Sequence, residues 1–362
     1  MTGAADARFM ALALTLGRRG MGRVWPNPAV GCVIVSDSRV IGRGWTADGG
    51  RPHAETQALV QAASVARGAT AYVTLEPCSH HGKTPPCADA LIAAGVARVV
   101  IATGDPDPRV AGQGIAKLRA AGIAVTTGVC EAAARIDHAG FLLRVTANRP
   151  FLTLKLASSF DGRIATAKGE SQWITGPQAR RAVHAMRACH DAVIIGAGTA
   201  RADDPTLTVR DMGVTRQPVR VVVSRKLDLP NDCALVRSLD VAQLWLCHGP
   251  DASDADVDAW EKRGARLIDC GAQVRADDVM TQLAAAGLTR VFCEGGGSLA
   301  ASLLQADVVD QLVGFSAGLA LGAKGTPAIG AMGLEKLADA PRFSLSNHTR
   351  VGDDLMHIWQ RR

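Results

Sequence analysis

The chain has 362 residues, 48% of them hydrophobic, and a net charge of +6. That length exceeds one ordinary core and predicts two domains, and the apolar content argues against wholesale disorder. No apolar run reaches bilayer-spanning length, and the basic residues are scattered beside a single Tyr, which disfavours membrane and nucleic-acid roles and fits a phosphorylated small molecule as partner.

The first stretch, MTGAADARFMALALTLGRRG, carries its Arg pair after its apolar run, whereas a secretory leader carries its charges before it. Nine cysteines, an odd number spread along the chain, do not form a secreted disulfide framework. The expected setting is cytoplasmic. Short β-branched runs AVGCVIV, ATAYVTL and ARVVIAT alternate with helical stretches HAETQALVQAASVARG, CADALIAAG and GIAKLRAAG, with Gly68, Gly95 and Gly122 as expected helix caps. Such β-α alternation predicts an α/β layered fold. Asn148-Arg149-Pro150 reads as a linker, so the domains are expected at 1–147 and 148–362. A new strand then spans 151–157, and the alternation resumes through DAVIIGAG, PVRVVVS, LTRVFCEGGG and VDQLVGFSAG. Cys32, Cys247 and Cys293 lie in strand-like runs and are expected as small buried hydrophobes. Small α/β domains with apolar strand edges pair often, so a homo-oligomer is expected.

The first half carries one chemical constellation. In RPHAE, His53 and Glu55 would point about 200° apart on a regular helix. They converge only in an irregular first turn, which Pro52 permits. Downstream, Cys78 and Cys87 each follow a proline, with eight residues between them. Pro85-Pro86 puts Cys87 at a helix N-terminus, which favours the thiolate that binds metal. One imidazole and two thiolates leave a tetrahedral zinc with a position open to water, as catalytic rather than structural sites do. Glu55, beside a ligand without being one, is then placed to move protons. H-x-E followed by P-C and a second Cys is the pattern of zinc deaminases acting on nucleobases. His80 or His81 as a fourth ligand would instead make the site structural. A redox pair is disfavoured, since the sequence has no C-x-x-C. Gly82-Lys83, at the tip of the loop between the cysteines, suits an anion.

The second half is less explicit. Gly295–Gly297 run from a strand into a helix, a turn that admits a pyrophosphate but equally serves as a tight turn. Ser224-Arg225-Lys226 follow a strand, where cations select the 2′-phosphate of NADPH or form an exposed turn.

PNPAVGCVIV, HAE and TLEPCSHHGKTPPCADALIAAG, together with LKLASSFDGRIA and IGAGTARADDPTLTVR, resemble the bifunctional deaminase/reductase family of riboflavin biosynthesis over nearly the whole chain. The eight-residue spacing separates it from cytidine and tRNA adenosine deaminases. The resemblance implies a cytidine-deaminase-like α/β/α domain and a dihydrofolate-reductase-like α/β domain. The first would hydrolyse the 2-amino group of 2,5-diamino-6-ribosylamino-4(3H)-pyrimidinone 5′-phosphate. The second would reduce the ribosyl side chain to ribityl with NADPH. It implies zinc on His53, Cys78 and Cys87, proton transfer by Glu55, and substrate contacts from Asn27 and Lys83. In the second domain it implies cofactor contacts from Ala157, Trp173, Thr199, Asp203, Arg225 and the run Gly296, Gly297, Ser298, Leu299, Ala300, Ala301 and Ser302. Substrate contacts would come from Ser171, Arg187, Leu207, Arg210 and Glu294. Arg187 and Arg210 suit phosphate, which guanidinium binds bidentately. Lys155 and Asp203 are the polar groups expected at the sugar, where ring opening needs a proton carrier; a strand lysine also serves as a structural ion-pair partner. One departure stands out: Trp45-Thr46 occupy the place where the family often has a histidine. Two other readings are a deaminase of another base joined to an unrelated reductase, and a binding protein with a structural zinc.

Overall fold

The computed structural model describes residues 3–80 and 85–362. The chain divides into two compact units, Met1–Asn148 and Arg149–Arg362.

In the first unit the order is α1 (Gly3–Gly17), β1 (Gly31–Ser36), β2 (Arg39–Trp45), α2 (Ala54–Ala62), β3 (Thr70–Val73), α3 (Cys87–Ala94), β4 (Arg98–Ile101), α4 (Gln113–Ala120), β5 (Ala124–Thr127) and α5 (Glu131–Ala147). The sheet order is β2-β1-β3-β4-β5. β1 is antiparallel to both β2 and β3, whereas β3, β4 and β5 are parallel. Strand periodicity divides the core between two faces. Cys32 and Ile34 of β1 join Ala54, Ala58 and Leu91 on one face, and Val33 and Val35 join Phe9, Met10 and Ala134 on the other. Helices on both faces make the α/β/α layering that the alternation predicts.

The expected caps take positive φ at Gly68, Gly95 and Gly122 (77°, 70° and 79°). Gly95 alone ends an α-helix directly in that conformation. α2 stops earlier than its apolar pattern suggests, because Ala63 turns to φ 49° and a 3₁₀ turn, Ala63–Ala66, carries the chain to Gly68.

The second unit runs β6 (Phe151–Ser159), β7 (Arg163–Ala165), α6 (Pro177–Ala188), β8 (Ala192–Gly196), α7 (Ala197–Asp203), β9 (Val219–Val223), α8 (Ala234–Arg237), β10 (Leu244–His248), α9 (Asp254–Lys262), β11 (Arg266–Asp269), α10 (Ala276–Ala285), β12 (Arg290–Cys293), α11 (Gly297–Gln305), β13 (Gln311–Ala317), β14 (Thr326–Pro327), β15 (Phe343–Val351) and β16 (Asp354–Arg361). Nine strands form one sheet in the order β11-β10-β9-β8-β12-β6-β13-β16-β15. It is parallel from β11 to β13, and the hairpin β15–β16 closes it antiparallel. Central strands read as continuous apolar runs because both faces are covered. Cys32, Cys247 and Cys293 are fully buried, and none of the nine cysteines is in a disulfide.

The first sheet is anchored to α1 by a polar group. Asp6 is buried and accepts from Arg98 at 2.9 and 2.8 Å and from the Tyr72 hydroxyl at 2.9 Å. The Arg98 hydrogen bond, against the opposing effect of burial, holds its carboxyl below the ordinary value. A lowered carboxylate pKa contributes stability that is present above the unfolded-state value and lost as pH falls through the folded one. Asp6→Ala strands a partly buried guanidinium and should lower stability by about 2–3 kcal/mol at neutral pH. Urea unfolding should show that difference shrinking as the medium is acidified through the folded pKa.

Candidate active sites of the two units

The site of the first unit lies beyond the C-terminal ends of the parallel strands β3 and β4, where open α/β sheets bind ligands. β3 leads through Leu75 and Glu76 to Cys78, and β4 leads to the segment Asp105–Arg109. α2 brings His53 and Glu55. It lies close against β2 because β2 has glycines where α2 crosses it. A Cβ at Gly42 would come within 2.2 Å of the Ala58 carbonyl oxygen, and one at Gly44 within 2.1 Å of that of Ala54. His53 is not in the helix. It is the N-cap, with extended backbone (φ −70°, ψ 161°), and Glu55 follows in the first turn. That is how two residues of opposite helical bearing meet.

His53 Nδ1 lies 3.3 Å from Cys87 Sγ and 3.7 Å from Cys78 Sγ, and the three donor atoms fall within 4.8 Å of one another. Cys87 opens α3, and its backbone N–H donates to Cys78 Sγ at 3.3 Å. The Cys87 side chain donates to Cys78, with further help from His53, and the Cys78 pKa falls to about 4 despite burial. Cys87 is pushed up by that same bond and by burial. The hydrogen bond with Cys78 raises His53. Such a closely drawn set of imidazole and sulfur donors fits zinc. Among the described residues no fourth ligand joins the three. His80 lines the cavity with its Nδ1 unpartnered, and His81 lies outside the described residues, as do Gly82 and Lys83. Glu55 is buried, and burial first, then the Cys78 charge, raises its pKa.

A cavity of about 370 Å³ opens over these groups, with Asn27, Thr46, His53, Glu55, Cys78 and His80 in its wall. The departure at 45–46 has a structural role. Thr46 is buried, accepts from Val30 N–H at 3.0 Å and donates to the Pro28 carbonyl at 2.9 Å, so it shapes the Asn27-Pro28 loop. Trp45 packs with α1 and lies under the Arg19 guanidinium. Sequence reasoning missed Arg51, Glu76, Asp105, Asp107, Arg109 and Arg144, which also line the cavity. The DPDPR segment had a readable signal, its place after a parallel strand. Arg144, far along α5, had none. Burial lifts the Asp105 carboxyl to about 6.

In the second unit Lys155 on β6, Arg187 at the end of α6, Asp203 at the end of α7 and Glu294 just after β12 interact electrostatically. Arg187 binds Glu294 in a fork, Nε at 2.5 Å and Nη2 at 2.9 Å, and gives Nη1 to the Thr208 carbonyl at 2.8 Å. Three of the donors expected for phosphate are thus held inside the protein. Burial would raise Glu294, but the Arg187 charge and hydrogen bonds prevail and its pKa is lowered. Burial lowers Lys155, against the Glu294 charge, and raises Asp203. Leu207 sits at φ 56° in the loop that also holds Arg210, whose Nη1 donates to Thr206 Oγ1 at 2.8 Å. Gly296 (φ 58°) turns β12 into α11, whose first residues have no side-chain cap. Thr199 Oγ1 faces that turn, 2.9 Å from where a Cβ of Gly296 would lie. Ala157 is on β6, and Ser171 and Trp173 lie between β7 and α6. Trp173 is exposed under the Arg180 guanidinium, and Arg225 forms an exposed ion pair with Asp251.

Two family models match the chain: the cytidine and deoxycytidylate deaminase zinc-binding region over residues 4–103, and the RibD C-terminal domain over 150–357. The riboflavin biosynthesis protein RibD of Escherichia coli is 43% identical, covering 98% of this chain and 99% of that protein. The chain belongs to the RibD family. RibD of Aquifex aeolicus is 36% identical over 98% of each chain. Among solved structures, Acinetobacter baumannii RibD (form 1) superposes with a TM-score of 0.90 at 37% identity over 99% of both chains. The Thermotoga maritima diaminohydroxyphosphoribosylaminopyrimidine deaminase/5-amino-6-(5-phosphoribosylamino)uracil reductase does so at 0.87 and 34%, again over 99% of both. As a RibD protein the chain is a bifunctional enzyme of riboflavin biosynthesis, a zinc-dependent deaminase and an NADPH-dependent reductase. No helix among the described residues is long and apolar enough to cross a membrane.

Atomic absorption on purified protein should find about one zinc per chain, as a single catalytic site requires. Cys87→Ser should lose it, because the site then keeps only two strong donors; a variant with full zinc content would remove Cys87 from the ligand set.

Proposed function

We propose that residues 1–147 hydrolyse the 2-amino group of 2,5-diamino-6-ribosylamino-4(3H)-pyrimidinone 5′-phosphate and that residues 148–362 reduce the ribosyl side chain of the product to ribityl. The observation that carries the first step is a buried carboxyl, Glu55, beside a cluster of three soft donors at the floor of a cavity. His53, Cys78 and Cys87 would hold zinc, which would supply Lewis-acid activation of a water molecule. Glu55, raised by burial toward the working pH, takes a proton from the attacking water and delivers one to the leaving amine. The new C–O bond replaces the C–N bond and ammonia departs. Asn27 in the cavity wall binds the pyrimidine, and Lys83 serves the phosphate end.

For the second step, NADPH supplies a hydride. Ala157, Trp173, Thr199, Asp203, Arg225 and the turn Gly296–Ser302 hold the cofactor. The uncapped start of α11 behind a glycine of positive φ suits its pyrophosphate. Ser171, Arg187, Leu207, Arg210 and Glu294 bind the substrate, Arg187 acting largely by fixing Glu294 as a carboxylate. Lys155, its pKa lowered by burial, exchanges the ring-opening proton with Asp203 nearby. The proposed setting is cytoplasmic, without a nucleic-acid partner. The proposed assembly is a homo-oligomer, which the exposed Leu345 and Leu355 of the terminal hairpin support.

Ammonia release from the diaminopyrimidinone ribotide, and not from cytidine, is the expected result; the reverse preference would overturn the substrate assignment. Glu55→Gln should lower that release on the order of 10²–10⁴-fold while zinc content stays at the wild-type level. Lys155→Ala should reduce NADPH oxidation on the order of 10²-fold and leave ammonia release intact, measured on the same preparation.

A further inference from the structure

We infer that Glu76 is a positioning residue for the metal centre, bracing the two sulfur-bearing segments against α4. Glu76 is buried two residues before Cys78, and both its carboxylate oxygens are occupied by another element. Oε2 accepts from Gly112 N–H at 3.1 Å and Oε1 from Ile115 N–H at 3.1 Å. These are open donors at the start of α4, which has no side-chain cap of its own. Glu76 caps that helix from outside and is thereby fixed itself. Its backbone is tied too, its N–H donating to the Thr103 carbonyl at 3.0 Å. The fit leaves no slack, since a Cβ at Gly114 would lie 2.1 Å from the Pro77 carbonyl oxygen. The same helix grips the other cysteine. Lys117 of α4 pairs with Asp89 in the first turn of α3 at 2.5 Å, and Leu118 packs in the same core cluster as Ala88 and Leu91. The Ala88 N–H donates to the Cys78 carbonyl at 3.1 Å, closing the frame. α4 contributes no ligand, yet it holds both Cys78 and Cys87 and so sets the distance between their sulfurs.

This inference rests on the metal-centre reading, and the experiment separates the two. Zinc release to a chromogenic chelator is timed for wild type and Glu76→Gln, whose amide keeps the size of the carboxylate but presents N–H to a backbone N–H. Release should be about 10–100-fold faster in the variant, the usual cost of losing a partner that orients a ligand. In cobalt-substituted protein the sulfur-to-cobalt absorption band should shift. Far-UV circular dichroism of the zinc-free proteins should be unchanged, which a general loss of structure would not allow. Equal release rates and identical cobalt spectra would overturn the brace. If Glu76→Gln fails to fold, Gly114→Ala, which pushes α4 off the Pro77 carbonyl, takes its place: faster release with a shifted band supports the brace, and wild-type values of both overturn it. Wild-type protein that retains no zinc would overturn the centre and the brace together, whereas wild-type zinc with an unaltered variant would overturn the brace alone.

Discussion

A backbone amide at the start of a helix aimed at a sulfur is the contact on which the deaminase half depends. The Cys87 N–H meets Cys78 Sγ at 3.3 Å, and the Cys87 side chain beside it holds the Cys78 thiol well below its ordinary value. A thiolate in a largely buried place is costly unless hydrogen bonds and positive charge offset its desolvation. Here the helix start, the neighbouring thiol and His53 do so.

Around that contact the fold supplies rigidity. The three donors arrive from a residue just outside α2, from the segment after β3, and from the first residue of α3. His53 and Cys87 sit where helices begin, and the Cys78 carbonyl accepts from the Ala88 N–H, so backbone hydrogen bonds hold the site. Glu55 gains its raised pKa from burial, which opposes ionisation at Cys78 too, where the hydrogen bonds from Cys87 and His53 outweigh it. A low-dielectric floor penalises charge and pushes the carboxyl up, while hydrogen bonds to the charged form pull the thiol down.

The reductase half uses paired charge instead. Glu294 stays ionised because Arg187 grips it with two hydrogen bonds, and Lys155 lies close enough to feel both. Sequence reasoning assigned Arg187 to phosphate. The structure shows much of its hydrogen-bonding capacity already taken by Glu294 and the Thr208 carbonyl, an arrangement invisible in a chain where Arg187 and Glu294 are more than a hundred positions apart.

The β-α alternation, the restart after Asn148 and the donors His53, Cys78 and Cys87 were all written in the chain. Period-2 and helical patterns, prolines before cysteines and the H-x-E spacing are local chemistry, and local chemistry survives without coordinates. Arg51 and Arg144 in the cavity wall were not legible, nor was the capping of α4 by Glu76. Their roles come from strand order and helix packing, which juxtapose segments through contacts with no sequence period. Even the convergence of His53 and Glu55 waited on the structure, because the backbone angles at His53 decide it: an N-cap in extended conformation turns the imidazole toward a carboxyl that a regular helix would point away from.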